Sequence, residues 1–169
     1  MSYILKLLKN NFLLTLLSFM KSKNWVNRQK NDQFVKKAKQ LGYINRAAFK
    51  LEEIEQKYKI IEHSREILEL GSSPGGWTQV ILNYNSKTNI TCFDLLDMKI
   101  NNQRIAFFKE DFLKYNFTNL KNKFDLVLSD VAPNTTGHQS TDHLRISRLI
   151  YEVIDILEMI LKKVLRILS

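Results

Sequence analysis

Cysteine, proline and glycine are scarce in this sequence, whose 169 residues contain one, two and five of them. The lone Cys92 rules out an intrachain disulfide and a cysteine-rich zinc site, and nothing else points to an oxidising compartment. It lies in an apolar run and reads as a buried strand thiol. Internal repeats and low-complexity tracts are missing too, so the pattern is that of an ordinary globular domain. No acidic residue precedes Asp32, and the apolar stretch from Phe12 to Met20 is shorter than the roughly 20 residues that cross a bilayer.

What is present is positive charge. Lys and Arg number 26 against 17 Asp and Glu, a formal charge of +9 that favours nucleic acid, or an anionic membrane surface, as partner. At 44% hydrophobic the chain can bury one real core and is too short for two comfortable domains. Residues 1–31 stand apart, with Lys6, Lys9, Lys21, Lys23, Arg28 and Lys30 around the short apolar stretch. This segment reads as an organelle-targeting leader, or alternatively as a basic RNA-contacting extension that stays attached; a secretory signal would need a small-residue cleavage site. The domain proper is expected over residues 32–169.

From Asp32 onward helices and strands alternate. "DQFVKKAKQLGY" reads as a short helix stopped near Gly42, and Asn45 is placed to cap a second, "RAAFKLEEIEQKY", with Ala47, Leu51, Ile54 and Tyr58 as its apolar stripe. Strand-length runs follow at 66–70, 89–96, 104–108 and 124–130. Because these runs are continuously apolar, both faces of the sheet should be buried, which implies a parallel sheet in a doubly wound α/β fold.

The stretch "EILELGSSPGGWTQVIL" sets a glycine turn between the first strand and the next helix. In open parallel sheets ligands sit beyond the carboxyl ends of the strands, and glycine lets the backbone approach them there. Gly71, Gly75 and Gly76 occupy that turn. Asp94 ends the second strand about twenty residues on, where an acid in such folds accepts from a ribose hydroxyl pair. The glycine spacing is G-x-x-x-G-G, not the G-x-G-x-x-G of a dinucleotide site, so S-adenosyl-L-methionine is favoured over NAD. A tight turn with no ligand is the plain alternative. Asp111, after the third strand, either accepts from an adenine amino group or caps the next turn. Asp130, after the fourth, either points into the same crevice or starts an Asx-type turn before Pro133.

Taken in order and spacing, "FVKKAKQLGYINRAAFKLEEI", "LELGSSPGGWTQV", "FDLL" and "LVLSDVAPNTTG" resemble the FtsJ-type (RrmJ-like) ribosomal RNA 2′-O-methyltransferases. The "TDHLRI" run is most similar to the organellar members. The resemblance covers roughly Asp32 to Leu161. It implies a Rossmann-like methyltransferase fold, S-adenosyl-L-methionine as donor, and the 2′-hydroxyl of a uridine in large-subunit ribosomal RNA as acceptor. The implied cofactor contacts are Gly75, Trp77, Asp94, Asp111 and Asp130, and the implied catalytic set includes Lys50 and Asp130. The expected partner is ribosomal RNA or the large ribosomal subunit, with no stable membrane insertion and a monomeric chain; the expected location is a mitochondrion or other organelle.

Helical geometry puts Lys50 about 70° from the centre of the expected apolar stripe, at its boundary. It therefore either faces a cleft or forms a solvated pair with Glu53 at i, i+3. The family pattern continues, after the helix "LIYEVIDILEMILKKVL", with a strand carrying a second lysine, a later glutamate and further strands. Lys162 and Lys163 do not match that lysine and read as cations favourable at a helix C-terminus. The expectation is a C-terminally truncated domain whose fourth strand has an open edge. Transfer RNA or cap methylation is the nearest enzymatic alternative; a catalytically silent cofactor- and RNA-binding assembly factor is the alternative from another class, and hydride transfer is more distant. His63, His138 and His143 have poor spacing for a metal, and none is expected. RNA contact is expected from Lys30, Lys36, Lys37, Lys39 and Arg46.

Overall fold

A computed structural model describes residues 33–121, 123–131 and 138–161. Residues 1–32 (with Lys30), 122, 132–137 (with Pro133) and 162–169 (with Lys162 and Lys163) lie outside the described residues.

The element order is α1 (Gln33–Gln40), α2 (Ala47–Tyr58), β1 (Glu66–Leu70), α3 (Gly76–Tyr84), β2 (Asn89–Phe93), β3 (Ile105–Phe108), two 3-10 turns (Phe112–Lys114 and Phe117–Leu120), β4 (Leu126–Ser129) and α4 (Gln139–Ile160). The four strands are parallel in the order β3-β2-β1-β4. Strand side chains alternate, so each strand feeds two cores. Ile67, Ile90, Cys92, Leu126 and Leu128 pack on one face with Ala48 and Leu51 of α2 and Trp77, Val80 and Ile81 of α3. Leu68, Leu70, Phe93 and Val127 pack on the other with Phe112, Phe117 and Val153, Leu157 and Ile160 of α4. Burial on both faces is why the strands contain no regular apolar/polar alternation. The doubly wound α/β reading holds, and Cys92 is a buried strand thiol.

Several boundaries differ from expectation. The second strand ends at Phe93, because Asp94 Oδ1 accepts from Leu96 N at 2.8 Å and turns the chain. On α2 the buried positions are Ala48, Leu51 and Glu55, and Tyr58 is exposed. Glu55 is inside because its carboxylate accepts from Ile61 N (2.7 Å) and Glu62 N (3.0 Å), the turn that follows the helix. Asn45 accepts from Ala47 N at 3.1 Å, one residue before the N-cap position at Arg46.

The chain runs outward from β1 to β3 and then crosses to the far side of β1 to form β4. The order therefore reverses between β1 and β4, and a crevice opens at their carboxyl ends. Along the free side of β4, Phe124 makes an isolated parallel bridge with Leu161, and Phe124 N donates to Ile160 O at 3.2 Å. Among the described residues, Leu126–Ser129 pair on one side only.

Candidate active site

The crevice is walled by two connections that touch. After β1, Gly71 turns at φ +77°, and a Cβ there would lie 2.8 Å from Val131 Cγ1 and 3.1 Å from Val131 N. Only glycine allows the β1 turn and the segment after β4 to approach this closely. Gly75, the N-cap residue of α3, has φ +112° and faces Ile100, and Gly76 lies where a Cβ would overlap the Asn45 side chain. The Ser73–Pro74 peptide is cis.

Asp94 reaches this turn from β2. Its Oδ2 accepts from Ser73 N at 2.8 Å while Oδ1 holds Leu96 N, so each oxygen keeps acceptor capacity for a further donor. Asp130, at the end of β4, is tied to β1 through its own N–H, which donates to Leu70 O at 3.1 Å. Asp111 Oδ1 accepts from Leu113 N at 3.1 Å and Oδ2 lies 3.7 Å from Lys114 Nζ. The turn-capping reading of Asp111 is thus the one its contacts display; they stay within its own turn.

Lys50 crosses from α2 to the crevice. Its Nζ lies 3.6 Å from Asp130 Oδ1, an ion pair slightly beyond hydrogen-bond reach, and 5.4 Å from the centre of the Trp77 ring. The cleft reading of Lys50 therefore displaces the solvated pair with Glu53. Burial pushes the Asp130 carboxyl above its ordinary value, and the Lys50 cation partly offsets this. Lys50 Nζ is shut off from solvent yet has no hydrogen-bond partner among the described residues. The same holds for Ser72 Oγ in the glycine turn, which sits beside the Cys92 thiol, a weak partner at most. Buried polar atoms of this kind cost free energy unless something pairs with them. One belongs to Lys50 beside Asp130 and the other to the glycine turn.

Trp77 is deeper than a ligand-facing position suggests. Its ring is buried in the core, and Nε1 donates to Ala47 O at 2.8 Å, joining α3 to α2. Gln79, two residues further along α3, repeats the clasp: Nε2 donates to Gly42 O (2.8 Å) and Oε1 accepts from Ile44 N (3.0 Å).

Glu69 was also missed. It points to the α2/α3 side of β1, fully buried, where Thr78 Oγ1 donates to Oε2 at 2.6 Å. Burial drives its carboxyl up to about 8; the Thr78 and Cys92 hydrogen bonds oppose this, and the nearby Asp130 and Asp94 charges add to it. The available signal was a carboxylate inside an otherwise apolar strand, two residues before a glycine turn. Among the described residues no three His, Cys, Asp or Glu side chains gather as a metal site, and no helix is long and apolar enough to cross a membrane.

Residues 43–166 match the family described as FtsJ-like methyltransferase. The chain is 41% identical over 134 residues to the ribosomal RNA large subunit methyltransferase E of Rickettsia bellii, covering 73% of this chain and 59% of that protein. The corresponding protein of Bradyrhizobium diazoefficiens is 40% identical over 139 residues, covering 78% and 61%. The chain thus spans about three fifths of the length of these curated relatives. Among solved structures, a Plasmodium falciparum protein described as a ribosomal RNA methyltransferase aligns with a TM-score of 0.62 and 27% identity, over 71% of this chain and 73% of that one. The fold is accordingly the Rossmann-like methyltransferase fold. Sequence match and shared architecture agree, and the chain belongs to the FtsJ-like methyltransferase family.

Proposed function

We propose that the crevice holds S-adenosyl-L-methionine and that the protein methylates a ribose 2′-hydroxyl of a uridine in large-subunit ribosomal RNA. The observation that carries this reading is the Lys50–Asp130 pair beside the glycine turn, with Lys50 Nζ and Ser72 Oγ both buried and short of partners. The names of the relatives support the same substrate class.

The residues present fit the donor. Asp94 has spare acceptor capacity for ribose hydroxyls, Gly75 supplies the positive φ that turns the chain into α3, and Ser72 Oγ offers a buried polar contact. Trp77, Asp111 and Asp130 complete the proposed contact set. When bound, the donor supplies an electrophilic methyl group carried on a sulfonium.

The acceptor side falls to Lys50 and Asp130. A ribose hydroxyl is a very weak acid, so negative charge growing on its oxygen needs a cation close by in a poorly hydrated place. Lys50 Nζ is such a cation, and the hydroxyl proton leaves to solvent past the partly exposed Asp130 carboxylate. Asp130 holds it by ion pairing without occupying it with a close hydrogen bond, which leaves the ammonium donors directed at the acceptor oxygen. The basic, acid-free residues 1–31 support an organellar ribosome as the setting, a location that imaging of a fluorescent fusion checks directly.

The test is transfer of labelled methyl from S-adenosyl-L-methionine to naked ribosomal RNA and to large subunits, with the product mapped to base or ribose. Lys50→Ala is expected to lower the rate by about 10²- to 10³-fold, the size of losing one charge-stabilising donor, with donor affinity retained. Label on a base, or unchanged transfer by the variant, refutes the assignment.

A further inference from the structure

Trp77 exposes 3% of its surface, and both its polar atom and its ring face are turned to α2. Nε1 donates to Ala47 O at 2.8 Å, and Lys50 Nζ stands 5.4 Å over the ring centre. Ala47 and Lys50 are three residues apart on α2 and so share a face, and helical side chains lean toward the N-terminus. Lys50 therefore reaches back over the turn whose carbonyl holds the indole. The other neighbour of the ammonium is Asp130, with Oδ1 at 3.6 Å. That gap is long, since an ammonium and a carboxylate that hydrogen-bond come within about 2.9 Å. Closing it would satisfy Lys50 Nζ, which is buried without a hydrogen-bond partner among the described residues.

We propose that Trp77 is a positioning residue whose π face holds the Lys50 ammonium back from Asp130, keeping its donors open for the acceptor oxygen. The inference rests on the role given to Lys50 above and adds the residue that sets its place. A π face attracts a cation without offering it a lone pair, so it stabilises the charge and takes no directed hydrogen bond. A carboxylate in this position would consume the donors, and an aliphatic chain would leave the ammonium to Asp130. Hydrogen bonds to charged groups and cation–π contacts have similar net strength, so the ring can decide where the ammonium rests. The Ala47 carbonyl fixes the indole to the helix that carries the lysine, so ring and cation keep their register.

The test replaces Trp77 in the full chain with mono-, di- and trifluorinated tryptophan, the fluorines on the benzo ring. Fluorine keeps the shape of the indole and its N–H while draining negative potential from the ring face, so the hold on a cation weakens stepwise in a folded protein. Methyl transfer is expected to fall at each step, to a total of about 2- to 30-fold, the span of one cation–π contact, with donor affinity by calorimetry unchanged. As the ammonium closes on Asp130, the Asp130 carboxyl should titrate lower at each step in a side-chain NMR titration, because an opposite charge has moved nearer. A flat series in either readout overturns the inference. A loss of donor affinity that matches the loss of rate also overturns it, making the indole a donor contact instead. If the unaltered chain transfers no methyl while the Asp130 titration still follows the fluorine count, the enzymatic reading falls and the positioning stands.

Discussion

Replacing Glu69 with glutamine isolates the cost of keeping a carboxyl under the glycine turn. In the unfolded chain this group ionises near its ordinary 4.5; in the folded protein burial moves that to about 8. Below the first value both states are protonated and the group adds no pH dependence. Between the two values the unfolded chain has lost its proton while the native state retains it, so unfolding releases a proton and stability falls as pH rises. Each pH unit is worth about 1.4 kcal/mol, giving a ceiling of about 5 kcal/mol across the interval. Glutamine cannot ionise and still accepts from Thr78, so Glu69→Gln should match the parent near pH 4.5 and exceed it progressively up to about pH 8. Urea unfolding of both proteins, followed by circular dichroism at about pH 5 and about pH 8, reads the difference directly. Other titrating groups are common to the two chains and cancel. A variant whose advantage stays constant or shrinks with rising pH would falsify the assignment of a raised, buried carboxyl at this position.

Three further outcomes follow from the geometry. Lys50→Met removes the cation that opposes burial at Asp130, so the Asp130 carboxyl should titrate still higher in a side-chain NMR titration; an unchanged or lower value contradicts the pairing. Gly71→Ala places a methyl against Val131 at a positive φ and should cost about 1–3 kcal/mol, seen as a lower melting temperature. Asn85, buried behind α3, donates to the carbonyls of Ile61 (2.9 Å), Glu62 (3.2 Å) and Ser64 (3.0 Å). Asn85→Ala should cost about 3 kcal/mol by denaturant unfolding, and Asn85→Asp at least as much, because it aims an acceptor at acceptors.

The parallel sheet was legible because a strand buried on both faces carries apolar residues at consecutive positions, as Ile67–Leu68, Cys92–Phe93 and Leu126–Leu128 do. The glycine turn was legible for a related reason: Gly71 and Gly75 adopt backbone angles that other residues avoid, so their spacing records geometry directly. What escaped were side chains whose position is decided by distant partners. Glu55 is buried by a need six and seven residues downstream, Trp77 by a carbonyl thirty residues upstream, and Glu69 by a hydroxyl on the next helix. The ion pairing of Lys50 with Asp130 spans eighty residues, and local spacing offered Glu53 with equal force. Asp94 shows the converse, since the turn that shortened its strand also directs its carboxylate to Ser73.

The paired clasps from α3, Trp77 to Ala47 and Gln79 to the segment ahead of α2, mean that the helix carrying Lys50 and the helix starting at the glycine turn are indexed to each other. Donor-side and acceptor-side parts therefore share one frame of reference before either ligand arrives. Alignment between them is inherited from folding, and a change that loosened the indole would shift the lysine poised over its ring.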